Sequence, residues 1–392
     1  MEDVVILSSA RTPIGAFQGA LAGFSAPQLG AHAIKAALER AKVEAKDVDE
    51  VIMGCVLTGG MGQAPARQAS LGAGIPNSVP CLTINKVCGS GMKAVMLAAQ
   101  AIKLGDSKIV VAGGMESMTN APYVLDKARQ GYRMGNGTII DSMVHDGLWD
   151  PYHNVHMGNC GDKTAKEFAF SREDLDAFAA ESYRRALDAQ HACRLSEEIA
   201  PIEIPQKKGD PIVISEDEEP KKGNPEKLPS LRPAFDKDGV TTAGNASSIN
   251  DGGGALVLAS ASEAEKRGLK PIGKIIGYAT HAQEPEWFTT APAFAIDKLL
   301  KGAGLTVADI DLFEVNEAFA VVAMIVAKKV GISQDKLNVN GGAVAIGHPI
   351  GMTGSRLVMT ALNELRRRGG KYAVATPCIG GGEATAVLIE AM

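Results

Sequence analysis

The chain has 392 residues, 45% of them hydrophobic and 22% charged, with a net charge of −5. That length exceeds one ordinary core and implies two or three domains, and the acidic balance gives no general pull toward nucleic acid or an anionic membrane. No apolar run is long enough to span a bilayer, and 6 scattered cysteines without a CxxC or HExxH pattern make neither a disulfide framework nor a zinc site.

Val4-Val5-Ile6-Leu7 reads as a strand. No basic segment or long apolar stretch accompanies it, so a signal peptide is not expected, and the reading is a soluble protein of a reducing compartment. A helix pattern follows over 31–41, then the turn Asp47-Val48-Asp49 and a buried strand over 50–54. Cys88 stands in Asn85-Lys86-Val87-Cys88-Gly89-Ser90-Gly91-Met92, which opens a small-residue helix, and a strand follows over 108–114. The stretch of 120–245 is polar, with the charge run Glu216-Asp217-Glu218-Glu219 and the lysines Lys207, Lys208, Lys221, Lys222 and Lys227. It reads as a loop-rich insertion that covers a site; the alternative is a solvated surface excursion. Asn245-Ala246-Ser247-Ser248 and Asn250-Asp251-Gly252 read as a polar turn near a site, and Gly252-Gly253-Gly254 precede a strand over 255–258.

Past residue 290 the pattern returns. Ala31, Ala33, Ile34, Leu38, Ala41, Asp47 and Asp49 recur, without gaps, as Ala293, Ala295, Ile296, Leu300, Ala303, Asp309 and Asp311. A strand over 312–316 follows, then Gly347-His348-Pro349-Ile350-Gly351 at a strand-to-helix turn, a helix over 354–362 and a strand over 372–377. Cys378-Ile379-Gly380-Gly381-Gly382 then precedes a closing strand over 385–388. The chain therefore reads as two copies of one α/β unit, with 120–245 unmatched in the second.

Three side chains carry the chemistry. Cys88 sits before a helix, where unpaired N–H groups favour a thiolate, and Gly89 and Gly91 let backbone donors approach a substrate oxygen. A neutral His348 can take its proton. Cys378 suits acid–base work, with a reversible disulfide to Cys88 as the alternative. Asn316, in Val315-Asn316-Glu317-Ala318-Phe319, either anchors a water or oxyanion or caps the next helix. Cys55, Cys81, Cys160 and Cys193 read as structural.

Together, the motifs at 85–92, 316–319, 347–351 and 378–382 resemble those of the thiolases, and among them the acetoacetyl-CoA thiolases, over essentially the whole chain. The resemblance implies a duplicated five-layered αβαβα fold, with halves at 1–120 plus 246–270 and at 271–392, and a CoA-binding loop domain at 121–245. It implies a reversible Claisen condensation of two acetyl-CoA to acetoacetyl-CoA and CoA. Cys88 would carry the acetyl group, His348 would activate it, and Cys378 would move the α-carbon proton. One oxyanion hole would use His348 and a water on Asn316; the other would use the N–H groups of Cys88 and Gly380.

For substrate, the resemblance implies His156 and Met157 beside the pantetheine, Ser247 on CoA, and Lys222, Gly223, Asn224 and Lys227 at the nucleotide. Leu148, Phe235, Phe288, Ala318 and Phe319 would shape the acyl pocket. Pro220 stands where relatives carry aromatic or basic residues near the adenine. No cofactor is required, but Glu181-Ser182-Tyr183 and Glu284-Pro285-Glu286-Trp287-Phe288 are similar to the potassium-activated branch. There Tyr183 and backbone groups of Ala243, Gly244, Ala246 and Val344 would hold the ion. The resemblance further implies a homotetramer built as a dimer of dimers, in the cytoplasm, or in the mitochondrial matrix once a leader is removed.

Overall fold

The computed structural model describes residues 2–392. In the first half, strands β1 (Val4–Arg11), β2 (Glu50–Gly54), β3 (Cys81–Ile84) and β4 (Ile109–Ser117) alternate with helices α1 (Ala26–Ala41), α2 (Pro65–Gly72) and α3 (Ser90–Leu104). The segment beyond β4 carries helices α4 (Met157–Glu167) and α5 (Arg172–His191), and β5 (Asn250–Ser260) then completes the half. The second half runs β6 (Gly273–Ala282), α6 (Ala291–Ala303), β7 (Leu312–Val315), α7 (Ala320–Val330), α8 (Thr353–Arg368), β8 (Tyr372–Thr376) and β9 (Glu383–Ala391).

The strand order is β7-β8-β9-β6-β1-β5-β4-β2-β3. In each half, two parallel neighbours (β2 with β4, β7 with β8) are followed by two antiparallel ones. The halves join where Val4–Ile6 pair with Gly273–Ile275. The second copy of β3 has shrunk to a single bridge between Phe313 and Leu337. Helices α3 and α8 lie between the sheets: Met92, Val95, Leu357 and Leu362 share one core with Ile52 and Val110 on one side and Leu312 and Val387 on the other. Helix α1 covers the outer face of the first sheet through Ala33, Ile34, Ala37 and Leu38, and α6 covers the second through Ala295, Ile296, Leu299 and Leu300. These are the five layers, αβαβα.

The repeated aspartates have a mechanical role. Asp49 Oδ2 accepts the N–H groups of Lys108 (2.7 Å) and Ile109 (2.9 Å). Asp311 Oδ2 accepts those of Lys371 (2.7 Å) and Tyr372 (3.0 Å). Each carboxylate staples the start of one central strand to the start of its parallel neighbour, satisfying donors that the ladder leaves open.

Three local expectations change. Gly252–254 lie inside β5 rather than before it, because α1 presses on them: a Cβ on Gly253 would stand 2.4 Å from Leu29 O. The residues before His348 form a helical turn, Ala343–Ile346, not a strand. Its first donors are taken by Ser182 Oγ, which accepts from Gly342 N, and by Glu317, which accepts from Val344 N. The segment beyond β4 is also less loop-rich than its polar sequence suggests. The 20-residue helix α5 buries mainly small side chains, Ala179, Ser182, Ala186 and Ala189, which give a weak hydrophobic pattern. No helix among the described residues is long and apolar enough to cross a membrane.

Candidate active site

Helices α3 and α8 meet at their first turns, and glycine makes that possible. A Cβ on Gly354 would stand 2.4 Å from Met92 N, and one on Gly91 would stand 2.9 Å from Ser355 N. The loops that open the two helices therefore face each other, bringing Cys88 from the first half to His348 from the second. Both line one cavity of about 210 Å³, with Leu148, His156, Met157, Phe235, Ala246, Ser247, Phe288, Ala318, Phe319 and Gly380.

Cys88 is one residue ahead of the α3 N-cap, Gly89, and it follows Val87 at φ 44°. A β-branched residue in that region is strained, so the surrounding packing must hold it. On the other side, a Cβ on Gly89 would stand 2.3 Å from Ile379 Cδ1. The expected preference for thiolate does not win. Burial pushes the Cys88 thiol up to about 11, against the pull of the N–H groups of Gly380 and of Cys88 itself. Both donors act on the Cys88 sulfur.

His348 is buried and neutral: burial, then the positive charge of Arg356, lowers it to about 3. Its Nδ1 lies 2.7 Å from Thr353 Oγ1, whose proton goes to Pro349 O at 2.9 Å. A hydroxyl has one proton, so it accepts from Nδ1–H and leaves Nε2 as the base. Asn316 Nδ2 is 3.4 Å from Nε2. Asn316 does not cap α7, whose N-cap is Phe319; its Oδ1 is buried without a partner among the described residues. Cys378 is fully buried, and both burial and the neighbouring Cys88 charge raise its thiol far above the usual range, against the N–H groups of Cys378 and Ala318.

The comparisons with known proteins agree over the full length. Residues 4–262 match the model of the thiolase N-terminal domain, and residues 269–391 that of the thiolase C-terminal domain. The chain is 52% identical to Acetyl-CoA acetyltransferase 2 of Arabidopsis thaliana, covering 99% of this chain and 97% of the relative. It is 51% identical to Acetyl-CoA acetyltransferase of Cupriavidus necator, covering 100% of both. The crystal structure of the Bacillus anthracis acetyl-CoA acetyltransferase superposes with a TM-score of 0.97 at 41% identity, covering 100% of this chain and 99% of that one. That of an Ascaris suum thiolase in complex with coenzyme A gives 0.95 at 44% identity, covering 100% of both.

The chain belongs to the thiolase family. It is an acyltransferase.

In this thiolase, the residues expected at the nucleotide and the ion fall outside the cavity lining, Ala246 excepted. Lys222 Nζ lies 3.7 Å from Glu219 Oε1, Gly223 packs so tightly on the Tyr183 ring that a Cβ would stand 2.2 Å from it, and Asn224 precedes the short helix Pro225–Ser230 that holds Lys227. Tyr183, Ala246 and Val344 share one cluster; Ala243 is exposed, and Gly244 lies against Leu228 and Leu231. The charge run before Lys221 is not a solvated excursion. Asp217 is buried against Arg11 (2.6 Å), which also pairs with Glu198 (2.7 Å). Glu218 accepts from Ala16 N and Ala20 N. The run thus anchors the lysine loop to the first half.

Four positioning residues escaped the sequence reading. Glu116 accepts from Val56 N, Leu57 N and Gly351 N, pegging the His348 loop onto the first half. Asn250 Oδ1 accepts from His348 N at 2.8 Å. Glu317 accepts from Ser182 Oγ at 2.7 Å and Asn338 Nδ2 at 2.8 Å, fixing the strand end that carries Asn316. Thr353 orients the imidazole. The signal available for Glu317 was its place inside the Asn-Glu-Ala-Phe motif, and for Asn250 the flagged polar turn; Glu116 and Thr353 stood in no pattern.

Proposed function

We propose that this thiolase is an acetyl-CoA C-acetyltransferase that interconverts two acetyl-CoA with acetoacetyl-CoA and CoA, and that its roles divide as follows. The Cys88 thiol is neutral at rest and needs a base, and His348 Nε2 is the available one. As the proton moves to Nε2, the sulfur attacks the acetyl-CoA carbonyl. The S–C bond to CoA breaks, Cys378 gives its thiol proton to the departing CoA sulfur, and the acetyl group stays on Cys88, which leaves His348 protonated and Cys378 a thiolate. Cys378 then takes a proton from the α-carbon of a second acetyl-CoA. The resulting carbanion attacks the acetyl carbonyl, the Cys88–acyl bond breaks, and His348 returns the proton to Cys88. The N–H groups of Cys88 and Gly380 stabilise the oxyanion on the enzyme-bound acyl group, while His348 and Asn316 stabilise the enolate oxygen of the incoming ester.

One observation carries this reading: the Cys88 thiol and the neutral His348 imidazole, held by different halves, line one small cavity, and the second thiol, Cys378, is buried close enough to feel the charge of Cys88. A lone thiol–imidazole pair would support acyl transfer or hydrolysis, whereas the second, buried thiol supports carbon–carbon bond chemistry. A bulky wall of Phe288 and Phe319 favours a short acyl group over the long chains of degradative relatives.

CoA is the thioester carrier, with the nucleotide toward Lys222, Gly223, Asn224 and Lys227 and the pantetheine along His156, Met157 and Ser247. A potassium ion fits beside Tyr183 with backbone groups of Ala243, Gly244, Ala246 and Val344. Burial, then the carboxylates of Glu219 and Glu317, push the Tyr183 phenol up to about 12. Exposed Tyr123, Leu125, Tyr132, Met134 and Ile139 support self-association into a homotetramer.

Cleavage of acetoacetyl-CoA by the purified chain with free CoA, followed by loss of the 3-oxoacyl absorbance, tests the reading. Two acetyl-CoA per acetoacetyl-CoA should appear; release of free acetate instead would contradict it.

A further inference from the structure

We propose that the ion pair of Lys163 with Glu286, with Trp287 lying against the ammonium, is a brace that sets which 3-oxoacyl thioesters the cavity accepts. The inference rests on the proposed function and deepens it. One wall of the cavity is a row of rings. His156 stacks on Phe235 with centroids 4.6 Å apart, Phe235 meets Phe319 edge-on at 5.8 Å, and Phe319 meets Phe288 at 6.4 Å. Phe288 ends the row and is 2% exposed. It lines the same cavity as Cys88, so its position bears on the room left there for an acyl group.

Phe288 follows a single 3-10 turn, Pro285–Trp287, which has little core of its own. Three ties hold it. Gln283 donates from its backbone N to Gly382 O at 2.9 Å, and from Nε2 to Trp287 O at 2.6 Å. Lys163 Nζ stands 2.5 Å from Glu286 Oε2 and 4.8 Å from the Trp287 ring centre. His153 lies between Asp150, at 2.8 Å, and Glu286, at 3.7 Å. Lys163 is on α4, whose first residue is Met157, and His153 is on the hairpin that ends at His156. The turn behind Phe288 is therefore fastened to the two pieces that carry His156, at the other end of the row, and its neighbour Met157.

The brace is at the surface: the Lys163 side chain is 43% exposed and that of Glu286 26%. Such pairs contribute little to global stability. Selectivity is a more sensitive readout, since one methyl or methylene group in an apolar pocket changes kcat/KM about 10-fold to 200-fold. Releasing Phe288 by a fraction of that space should therefore alter substrate preference before it alters folding.

The test uses the full chain and its Lys163→Met and Glu286→Gln variants. The readout is kcat/KM for thiolysis of acetoacetyl-CoA, of an α-methyl-branched 3-oxoacyl-CoA and of a six-carbon 3-oxoacyl-CoA. Both variants should raise the ratio of the branched or longer substrate to acetoacetyl-CoA by about threefold to tenfold. The reversed pair, Lys163→Glu with Glu286→Lys, should bring the ratio part-way back. Ratios that stay within about twofold of wild type in active variants, or rates that fall equally on all three substrates, would overturn the brace alone. A wild-type chain that cleaves the larger esters but not acetoacetyl-CoA would overturn the proposed function instead.

Discussion

The two halves share a topology and an aspartate staple, yet they hold their reactive groups by different means. Cys88 is placed largely by its own short loop: a strained Val87, a glycine pressed on Ile379, local hydrogen bonds between the Ser90 and Asn85 side chains and the loop backbone, and the N–H groups of Cys88 and of Gly380 from the second half directed at the sulfur. The second half places His348, Asn316 and Cys378 with buried side chains. Thr353, Glu317 and Asn338 hold hydrogen bonds there, joined by Asn250 from the first half, and Arg356 pairs with Glu314 at 2.9 Å, both nearly fully buried. A nucleophile must reach substrate, so its loop stays spare and glycine-lined. A base must keep its orientation and charge state, so it is enclosed. Helix α8 is buried along most of its length despite Arg356, Thr360, Asn363 and Glu364: Arg356 pairs with Glu314, Thr360 donates to Glu198 and Glu364 accepts from Asn340, while Asn363 Nδ2 has no partner among the described residues.

The junction of the halves should be the most sensitive point. Gly354→Ala places a Cβ 2.4 Å from the backbone of Met92. Cys88 and His348 would then move apart, and kcat should fall about 100-fold while folding is lowered by about 1–3 kcal/mol. Single-turnover acetylation and chemical denaturation measure the two effects. A variant with normal acetylation would show that the helix contact does not set the pair.

A smaller effect should separate the two placing strategies. Thr353→Val removes the acceptor on Nδ1 but not the imidazole, and acetylation should slow about tenfold, corresponding to the loss of one buried hydrogen bond. The neutral His348 also has a thermodynamic signature. Its folded-state value, about 3, lies below the unfolded value of about 6.5. The unfolded chain therefore binds the proton first as pH falls, and stability from this group is complete above about 6.5 and is lost as pH falls toward the folded value. A His348→Gln variant should lose less stability than wild type between about pH 6.5 and pH 5. Equal losses would mean that the imidazole is charged in the folded state.

The smallest effect tests the symmetry itself. Asp49→Ala and Asp311→Ala should each cost about 1–2 kcal/mol in denaturant unfolding, since each leaves two strand N–H groups unpaired. Clearly unequal losses would make one staple a relic.

Much of this was readable in the sequence. The recurrence of Asp47 and Asp49 as Asp309 and Asp311 exposed the duplication because turns need particular side chains at fixed offsets. Cys88, His348 and Cys378 stood out because each is a reactive group beside glycines. Glu116, Glu317 and Thr353 were harder to see. Their partners are backbone N–H groups or side chains that only the fold assembles, such as Gly351 against Glu116 across 235 positions. The helical turn at Ala343–Ile346 was misread as strand because its four apolar residues carry no period, and side chains from α5 and the 316–319 motif decide its conformation. For the charge run at 216–219 a solvated excursion stayed open as the alternative, because its buried partner, Arg11, lies 206 positions away in β1.

The division of labour between the thiols is tested most directly by mass spectrometry of the Cys88 peptide after brief exposure to acetyl-CoA, in wild type, Cys88→Ala and Cys378→Ser. Wild type and Cys378→Ser should both carry acetyl on Cys88, Cys88→Ala should carry none, and Cys378→Ser should form acetoacetyl-CoA at least about 100-fold more slowly than wild type. Acetyl found on Cys378 in wild type, or condensation at the wild-type rate in Cys378→Ser, would contradict it.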